Sequence, residues 1–167
     1  HILETGIDTE KYKSTITVDY SLKMLIDALD ESSSKATIFF LGEIAKNHPE
    51  LVEFAADRGH EIASHGYGHE LIAAQNYEEF FEDIYSTKNI LEDISGKKVS
   101  GYRAPGFSLT PDTVWAYEAI AEAGYTYSSS VFPAKRAHGG FPGFNFKPTL
   151  IETGEGELIE FPVSSLQ

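Results

Sequence analysis

Residues 36–64 read ATIFFLGEIAKNHPELVEFAADRGHEIAS, and their pattern predicts the fold class. It opens with a short apolar run typical of a buried strand and continues with a helical pattern around Pro49. The helical pattern ends at Arg58 and Gly59, as helices commonly do at a glycine, and HEIAS returns to an extended pattern. A strand, a helical segment and a second strand in this order predict a βαβ unit with parallel strands.

The same alternation continues along the chain. An amphipathic helix with Asp19 as its N-cap precedes the unit, and YEEFFEDIYSTKNILEDISG repeats apolar residues at helical spacing. A further helix is predicted after Thr110 as N-cap, with strands at VSGYRAP and YTYSSSVF. A long loop over residues 133–148 follows, and then a hairpin or two strands around GEG. We expect an α/β fold with a parallel sheet, open or closed into a barrel, whose chemistry lies at the carboxyl ends of the strands.

Composition narrows the classes of function. The 167 residues are 41% hydrophobic, which suits one domain over residues 1–167. The formal net charge of −13 argues against a nucleic acid or an anionic membrane as partner. No apolar run reaches the length of a membrane span, so none is expected. The chain has no cysteine, which excludes disulfides, thiolate metal sites and cysteine nucleophiles.

Residues 64–70, SHGYGHE, place two histidines four residues apart. Neutral imidazoles at this spacing can bring two nitrogens to one Zn²⁺, Co²⁺ or Ni²⁺ ion. Gly66 and Gly68 would let the backbone pass close to such an ion. The spacing alone also fits a partly exposed turn, but its position directly after a predicted strand favours a functional loop.

YRAPGF is the second candidate segment, because Arg103 ends a predicted strand just before Pro105. The proline holds the backbone extended, and the guanidinium could orient a carboxylate through two hydrogen bonds. A structural ion pair at the strand end is the alternative. His60, at the opposite end of its strand, and His48, before a proline, are interpreted as structural.

The segment KATIFFLGEIAKNHPELVEFAADRGHEIASHGYGHE, followed about thirty residues later by GYRAPGFSLTPDTVWAYEAIAEAGYTYSSSVFP, resembles the polysaccharide deacetylase family. This is the NodB homology domain of carbohydrate esterase family 4. The resemblance runs from about residue 15 to the end and is closest to the subgroup associated with bacterial exopolysaccharide production. It implies a distorted (β/α) barrel that is truncated at both ends in this chain.

The resemblance also implies an activity, the metal-dependent hydrolysis of N-acetyl groups from an N-acetylated polysaccharide. The enzyme class is a hydrolase of carbon–nitrogen bonds other than peptide bonds, in which metal-bound water attacks the acetamide carbonyl. His65 and His69 match the family's metal ligands, with zinc expected and cobalt or nickel as alternatives. Arg103 matches a catalytic arginine that positions an aspartate.

The implied substrate groove includes Pro105 and Phe107, which belong to the arginine motif, together with Tyr67. The loop over residues 133–148 is a further hypothesis for this groove. Because aromatic rings stack on sugars, the groove also allows a second reading, a catalytically inactive carbohydrate-binding domain. Hydrolysis of a small amide or an acylated non-sugar molecule is a third.

The sequence departs from the family at both ends. The motif that carries an aspartate pair is missing, and neither Asp8 nor Asp19 replaces it well, since Asp19 is better explained as an N-cap. The late catalytic histidine is also missing, and His138 matches no family motif. We therefore expect two histidines to leave a metal incompletely coordinated and this fragment alone to be inactive.

Overall fold

The computed structural model describes residues 18–136 and 139–164, so Asp8 and His138 lie outside the described residues. The chain divides between Lys35 and Ala36 into two compact units. The described part of the first unit contains one helix, and the second unit contains the sheet and the other helices. No helix among the described residues is long and apolar enough to cross a membrane.

The helix of the first unit is α1 (Val18–Glu31), which confirms the predicted helix. The N-cap prediction for Asp19 was wrong, because the helix already includes Val18. Asp19 lies in the first turn, where its carboxylate pairs with Lys23 Nζ one turn later at 2.6 Å. An acidic residue in a first turn is favourable because of the helix dipole, so Asp19 suits this end of the helix without capping it.

The second unit contains a six-stranded sheet in the order β1, β2, β3, β4, β6, β5. All neighbouring strands are parallel except β5 and β6, which form the predicted hairpin. An α/β fold with a parallel sheet is thus confirmed, and within the described residues β1 and β5 are the edge strands. The strands are β1 (Thr37–Phe40), β2 (Glu61–Ser64), β3 (Gly101–Tyr102), β4 (Tyr127–Ser128), β5 (Thr149–Thr153) and β6 (Gly156–Glu160).

The helices of this unit follow the predicted alternation: α2 (Gly42–Asn47), α3 (Pro49–Asp57), α4 (Tyr77–Ser95) and α5 (Ala116–Glu122). A capping box of Asn76 and Glu79 begins α4, and Gly96 ends it with φ +64°. The helix predicted after Thr110 differs, since Pro111–Thr113 is a 3₁₀ turn and α5 starts only at Ala116. Thr110 is the N-cap of this turn and Pro111 its first residue, as predicted, and the Thr113 hydroxyl donates to the Ser108 carbonyl at 3.0 Å.

Register brings one residue of each of five strands into a single row across the sheet. The row is Phe40, Ser64, Tyr102, Ser128 and Glu160, and all five are buried. The face that carries this row packs against α4, where the rings of Phe80 and Tyr102 lie 5.8 Å apart. Because side chains alternate along a strand, the residues directly after the row point to the opposite face at the carboxyl edge.

Candidate functional site

Four residues follow the buried row and meet at the carboxyl edge of the sheet: His65, Arg103, Ser129 and Phe161. Their backbone N–H groups continue the ladder by donating to carbonyls of the row at 2.7 to 2.9 Å. The predicted histidine and arginine segments are therefore side by side. The carboxyl ends of parallel strands are the usual place for functional loops, and here that rule brings residues 38 positions apart into contact.

His65 is held in one tautomer. Its Nδ1 lies 2.7 Å from the carbonyl oxygen of Arg103, which can only accept, so Nδ1 carries the proton and Nε2 keeps a lone pair. Burial lowers the pKa of His65 to about 4, helped by the nearby His69 and Arg103 and opposed by the backbone hydrogen bond. The imidazole is thus neutral at neutral pH. A neutral ring whose other nitrogen donates to a carbonyl is the usual state of a metal-ligating histidine.

His69 lies beside His65, with ring centroids 5.0 Å apart and ring planes at 73°. Its backbone φ of +64° is in the left-handed region, which few non-glycine residues occupy. Two adjacent imidazoles fit a divalent cation in donor chemistry, and both histidines predicted as ligands are brought together. Within residues 18–136 and 139–164 no group of three or more potential ligand side chains is found, so the pair lacks a third partner there.

The histidine loop, residues 65–70, is fixed through its backbone on two sides. The carbonyls of Gly66 and Tyr67 accept hydrogen bonds from the first N–H groups of α2, at Gly42 and Glu43. From the other side, the N–H of Tyr67 donates to the carboxylate of Asp83 on α4 at 3.0 Å. Asp83 was not among the residues predicted from the sequence, because on α4 it resembles the several other acidic residues of that helix.

Arg103 is held by a residue that the sequence analysis did not single out. Its Nε donates to the Ser129 carbonyl at 2.9 Å and its Nη2 to the Ser129 hydroxyl at 2.7 Å. The guanidinium lies 4.1 Å from the centre of the Phe39 ring, and burial lowers its pKa. Among the residues that the structure describes, Arg103 has no carboxylate partner. Ser129 could have been found, since it follows its strand as Arg103 follows β3.

The three residues predicted to line the substrate groove have different surroundings. Phe107 lies nearest the arginine, with its ring centre 5.9 Å from the guanidinium carbon, and its φ of +51° is left-handed. Pro105 is buried in the same 3₁₀ turn. The Tyr67 ring lies against Gly42, where an added Cβ would come within 2.6 Å of Cδ2. Pro105 is therefore enclosed by packing, whereas Tyr67 also lines the groove beside α4 and Phe107 lies near Arg103.

A cavity of about 450 Å³ opens on the face of the sheet opposite the buried row. Its lining includes Phe39, Arg103, Ser129 and Phe161. Arg103 is therefore reachable from this cavity. A second groove, about 770 Å³, lies between the histidine loop and α4 and is lined by Tyr67 and by several acidic side chains. Only the first cavity contains a residue predicted to be catalytic.

Comparison with known proteins shows what the chain is related to. The sequence profile of the family described as "Polysaccharide deacetylase" matches residues 7–128. A peptidoglycan-N-acetylglucosamine deacetylase of Bacillus cereus is 36% identical over 95 residues, which is 56% of this chain and 34% of that protein. Chitin deacetylase 2 of Cryptococcus neoformans var. grubii is 33% identical over 81 residues, 48% of this chain and 18% of that protein.

A crystal structure from Mycobacterium smegmatis, described as a polysaccharide deacetylase, superposes with a TM-score of 0.72 at 30% identity. It covers 86% of this chain and 45% of that chain, so the chain spans less than half the length of each of these relatives. None of the three names concerns an exopolysaccharide, and that subgroup stays a prediction. The match to the family profile over most of its length shows that the chain belongs to the polysaccharide deacetylase family.

Proposed function

We propose that the protein removes N-acetyl groups from an N-acetylated polysaccharide with the help of a divalent cation held by His65 and His69. The observation that supports this most strongly is the state of His65. Its Nδ1–H is taken up by the Arg103 carbonyl, and its neutral ring offers Nε2 next to a second imidazole. A histidine with a merely structural role would need neither the fixed tautomer nor the neighbour.

A divalent cation at this place would polarise an acetamide carbonyl and lower the pKa of water. Zinc fits the two imidazoles best, with cobalt and nickel as close alternatives. The described residues supply two ligands, and the proposal requires at least one more from elsewhere in the protein. In this proposal His65 and His69 bind the cation, and Arg103 orients a carboxylate that removes a proton from water.

Arg103 is suited to this task because its position is fixed before any partner arrives. Ser129 takes two of its N–H groups, and the ring of Phe39 supports the guanidinium plane. A lysine at this position would keep the charge, but it could not make both hydrogen bonds in one plane. We assign substrate contacts to Phe107, with Pro105 and Tyr67 shaping the turns that carry the groove.

The substrate class follows from the relatives. The Bacillus cereus protein is named for N-acetylglucosamine in peptidoglycan and the Cryptococcus protein for chitin, and both polymers carry acetamido groups on sugars. We propose that the natural substrate is a polymer of such sugars. An N-acetylated exopolysaccharide belongs to the same chemical class and is one of the substrates to test.

The test is acetate release by the full-length protein that contains this chain, first freed of metal and then supplied with Zn²⁺, Co²⁺ or Ni²⁺. The substrates are chitooligosaccharide, peptidoglycan and an N-acetylated exopolysaccharide. His65→Ala, His69→Ala and Arg103→Lys should each lower kcat/KM at least about 100-fold, a typical effect of removing a catalytic or positioning group. His48→Ala is the matched control, because His48 is exposed and lies outside the site. Unchanged acetate release by His65→Ala would contradict the proposal.

Carbohydrate binding without hydrolysis is the second candidate. The observation that favours it is an aromatic cluster beside the site, in which the rings of Phe107 and Phe132 lie 6.1 Å apart and Arg136 lies over both. Such rings can stack on sugars whether or not hydrolysis occurs. Chitooligosaccharide binding that is lost in Phe107→Ala, with no acetate release under any metal, would support this function instead.

A further inference from the structure

The carboxylate of Asp83 on α4 forms hydrogen bonds with the backbone of the histidine loop. It lies in the second turn of α4, and both of its oxygens are within 3.1 Å of the backbone nitrogen of Tyr67. The N–H of Gly68 donates to it as well. Two consecutive N–H groups of the histidine loop, which have no strand or helix to pair with, are therefore satisfied by one side chain.

The loop is shaped to receive this carboxylate. Gly66 has φ +75°, and a Cβ added there would lie 2.9 Å from Asp83 Oδ1. A side chain at residue 66 would therefore push the carboxylate away, and the left-handed backbone would be strained as well. On the opposite side the loop carbonyls are held by α2. Asp83 is thus the partner that closes the loop from the side of α4.

These hydrogen bonds also affect His69, because it directly follows Tyr67 and Gly68, whose N–H groups are bound to Asp83. Its φ of +64° is a costly conformation for a residue with a side chain, and such conformations persist where the surroundings over-determine them. This turn of the backbone brings the His69 ring to within 5.0 Å of the His65 ring. The His65 ring needs no such help, because the Arg103 carbonyl orients it.

The surroundings of Asp83 disfavour its charged form. Burial raises the pKa of Asp83, and nearby Glu70 acts in the same direction, while the hydrogen bonds from the loop oppose both. No lysine or arginine pairs with it among the residues that the structure describes. The loop N–H groups are therefore its main compensation, and an amide in its place would keep the shape but weaken the charge-assisted bonds.

We infer that Asp83 is a positioning residue that sets the backbone of the histidine loop and thereby places His69 beside His65 for shared binding of a divalent cation. It touches neither substrate nor cation in this role. The inference rests on the proposed function, which supplies the cation. It assigns a role in positioning the histidine loop to a residue of α4.

The test compares Asp83→Asn and Asp83→Ala with Glu92→Gln in the full chain. Glu92 is the control because it lies on the same helix and also accepts a backbone N–H, that of Val99 at 2.9 Å, in addition to the Lys88 ammonium group. Co²⁺ affinity is measured by absorbance titration, and the ring ¹H–¹⁵N spectra are recorded on metal-free protein. Thermal unfolding of every variant is followed in parallel.

Asp83→Asn should weaken Co²⁺ binding about tenfold and Asp83→Ala about a hundredfold, with Glu92→Gln within twofold of wild type even where its melting temperature falls equally. In metal-free protein the His69 ring signals should move in both Asp83 variants, and the His65 Nδ1–H signal should stay. Co²⁺ affinity that follows only melting temperature across the three variants would overturn the inference.

Wild-type behaviour separates the two proposals. If wild type binds Co²⁺ through His65 and His69 but the Asp83 variants bind equally well, the inference about Asp83 fails and the proposed function stands. If wild type shows no binding that depends on these histidines, the proposed function fails. The ring spectra then decide the role of Asp83 alone, since unmoved His69 signals in Asp83→Ala would overturn it and moved ones would support it.

Discussion

The two segments that form the site are each fastened by one carboxylate, but in different ways. In the histidine loop, Asp83 accepts the N–H groups of Tyr67 and Gly68. In the serine segment, residues 128–131, Glu160 Oε1 accepts the N–H groups of Ser130 and Val131 at 2.8 and 2.9 Å. Asp83 comes from a helix and is partly exposed, whereas Glu160 comes from the neighbouring strand and is fully buried.

The difference shows what each carboxylate contributes. The serine segment continues β4, so register with β6 already fixes its direction and Glu160 only satisfies N–H groups that water cannot reach. The histidine loop has left the sheet and passes through left-handed backbone at Gly66 and His69, so its shape depends on Asp83. Removing Glu160 should therefore mainly reduce stability, and changes around Asp83 should mainly alter loop geometry.

The largest expected effect on stability is that of Glu160→Ala. It leaves two buried N–H groups without an acceptor, and we expect the free energy of unfolding to fall by about 3 kcal/mol, since each such group costs on the order of 1 to 3 kcal/mol. Urea unfolding followed by circular dichroism measures this. A loss below about 1 kcal/mol would mean that water replaces the carboxylate, because a water molecule can satisfy buried N–H groups, and the contrast with Asp83 would disappear.

A smaller effect is expected for Gly66→Ala, about 2 kcal/mol, because the left-handed backbone alone costs roughly 1 to 2 kcal/mol for a residue with a Cβ. The contact with Asp83 Oδ1 adds to it. Gly68→Ala is the control, since nothing lies within 4 Å of a Cβ there and its φ is not left-handed. In an Asp83→Ala background the cost of Gly66→Ala should shrink to the backbone contribution. An equal cost in both backgrounds would show that Asp83 and Gly66 do not interact.

The smallest effect is the pH dependence of Glu160→Gln. Burial raises the pKa of Glu160, opposed by hydrogen bonds from Ser128 and from the backbone of Ser130 and Val131. A raised pKa means that the folded protein holds this proton more tightly than the unfolded chain. The carboxyl therefore contributes its full stability below its unfolded pKa near 4.5 and loses part of it as pH rises through the folded pKa.

Glutamine does not titrate. The free energy of unfolding of wild type minus that of Glu160→Gln should therefore decrease as pH rises from about 4 to 8. Paired urea titrations across this range measure it, and the other titrating groups cancel in the difference. If this free-energy difference increases with pH, the ionised carboxylate is the favoured form in the folded protein, which contradicts the prediction.

The order of strands and helices, and the two segments proposed as the candidate site, could be predicted from the amino-acid sequence. Alternating apolar runs and helical patterns predicted the strands and helices, and glycine marked the end of α4 at Gly96. Thr110 and Pro111 begin a helical turn as predicted, but this turn is 3₁₀ and α5 follows only at Ala116. Asp19 lies inside α1 and not at its cap. These signals are readable because propensity, capping and periodicity act between residues within about one helical turn of each other.

The contacts between the segments of the candidate site could be read only from the tertiary structure. Register across the sheet places the Arg103 carbonyl on His65 and the Ser129 hydroxyl on Arg103. Asp83 meets the histidine loop from 16 residues away, and Glu160 meets the serine segment from 29 to 30 residues away. On its own each of these carboxylates reads as one of 26 acidic residues. A carboxylate becomes an anchor only when packing removes water and leaves backbone N–H groups as its partners, and no local pattern encodes that event.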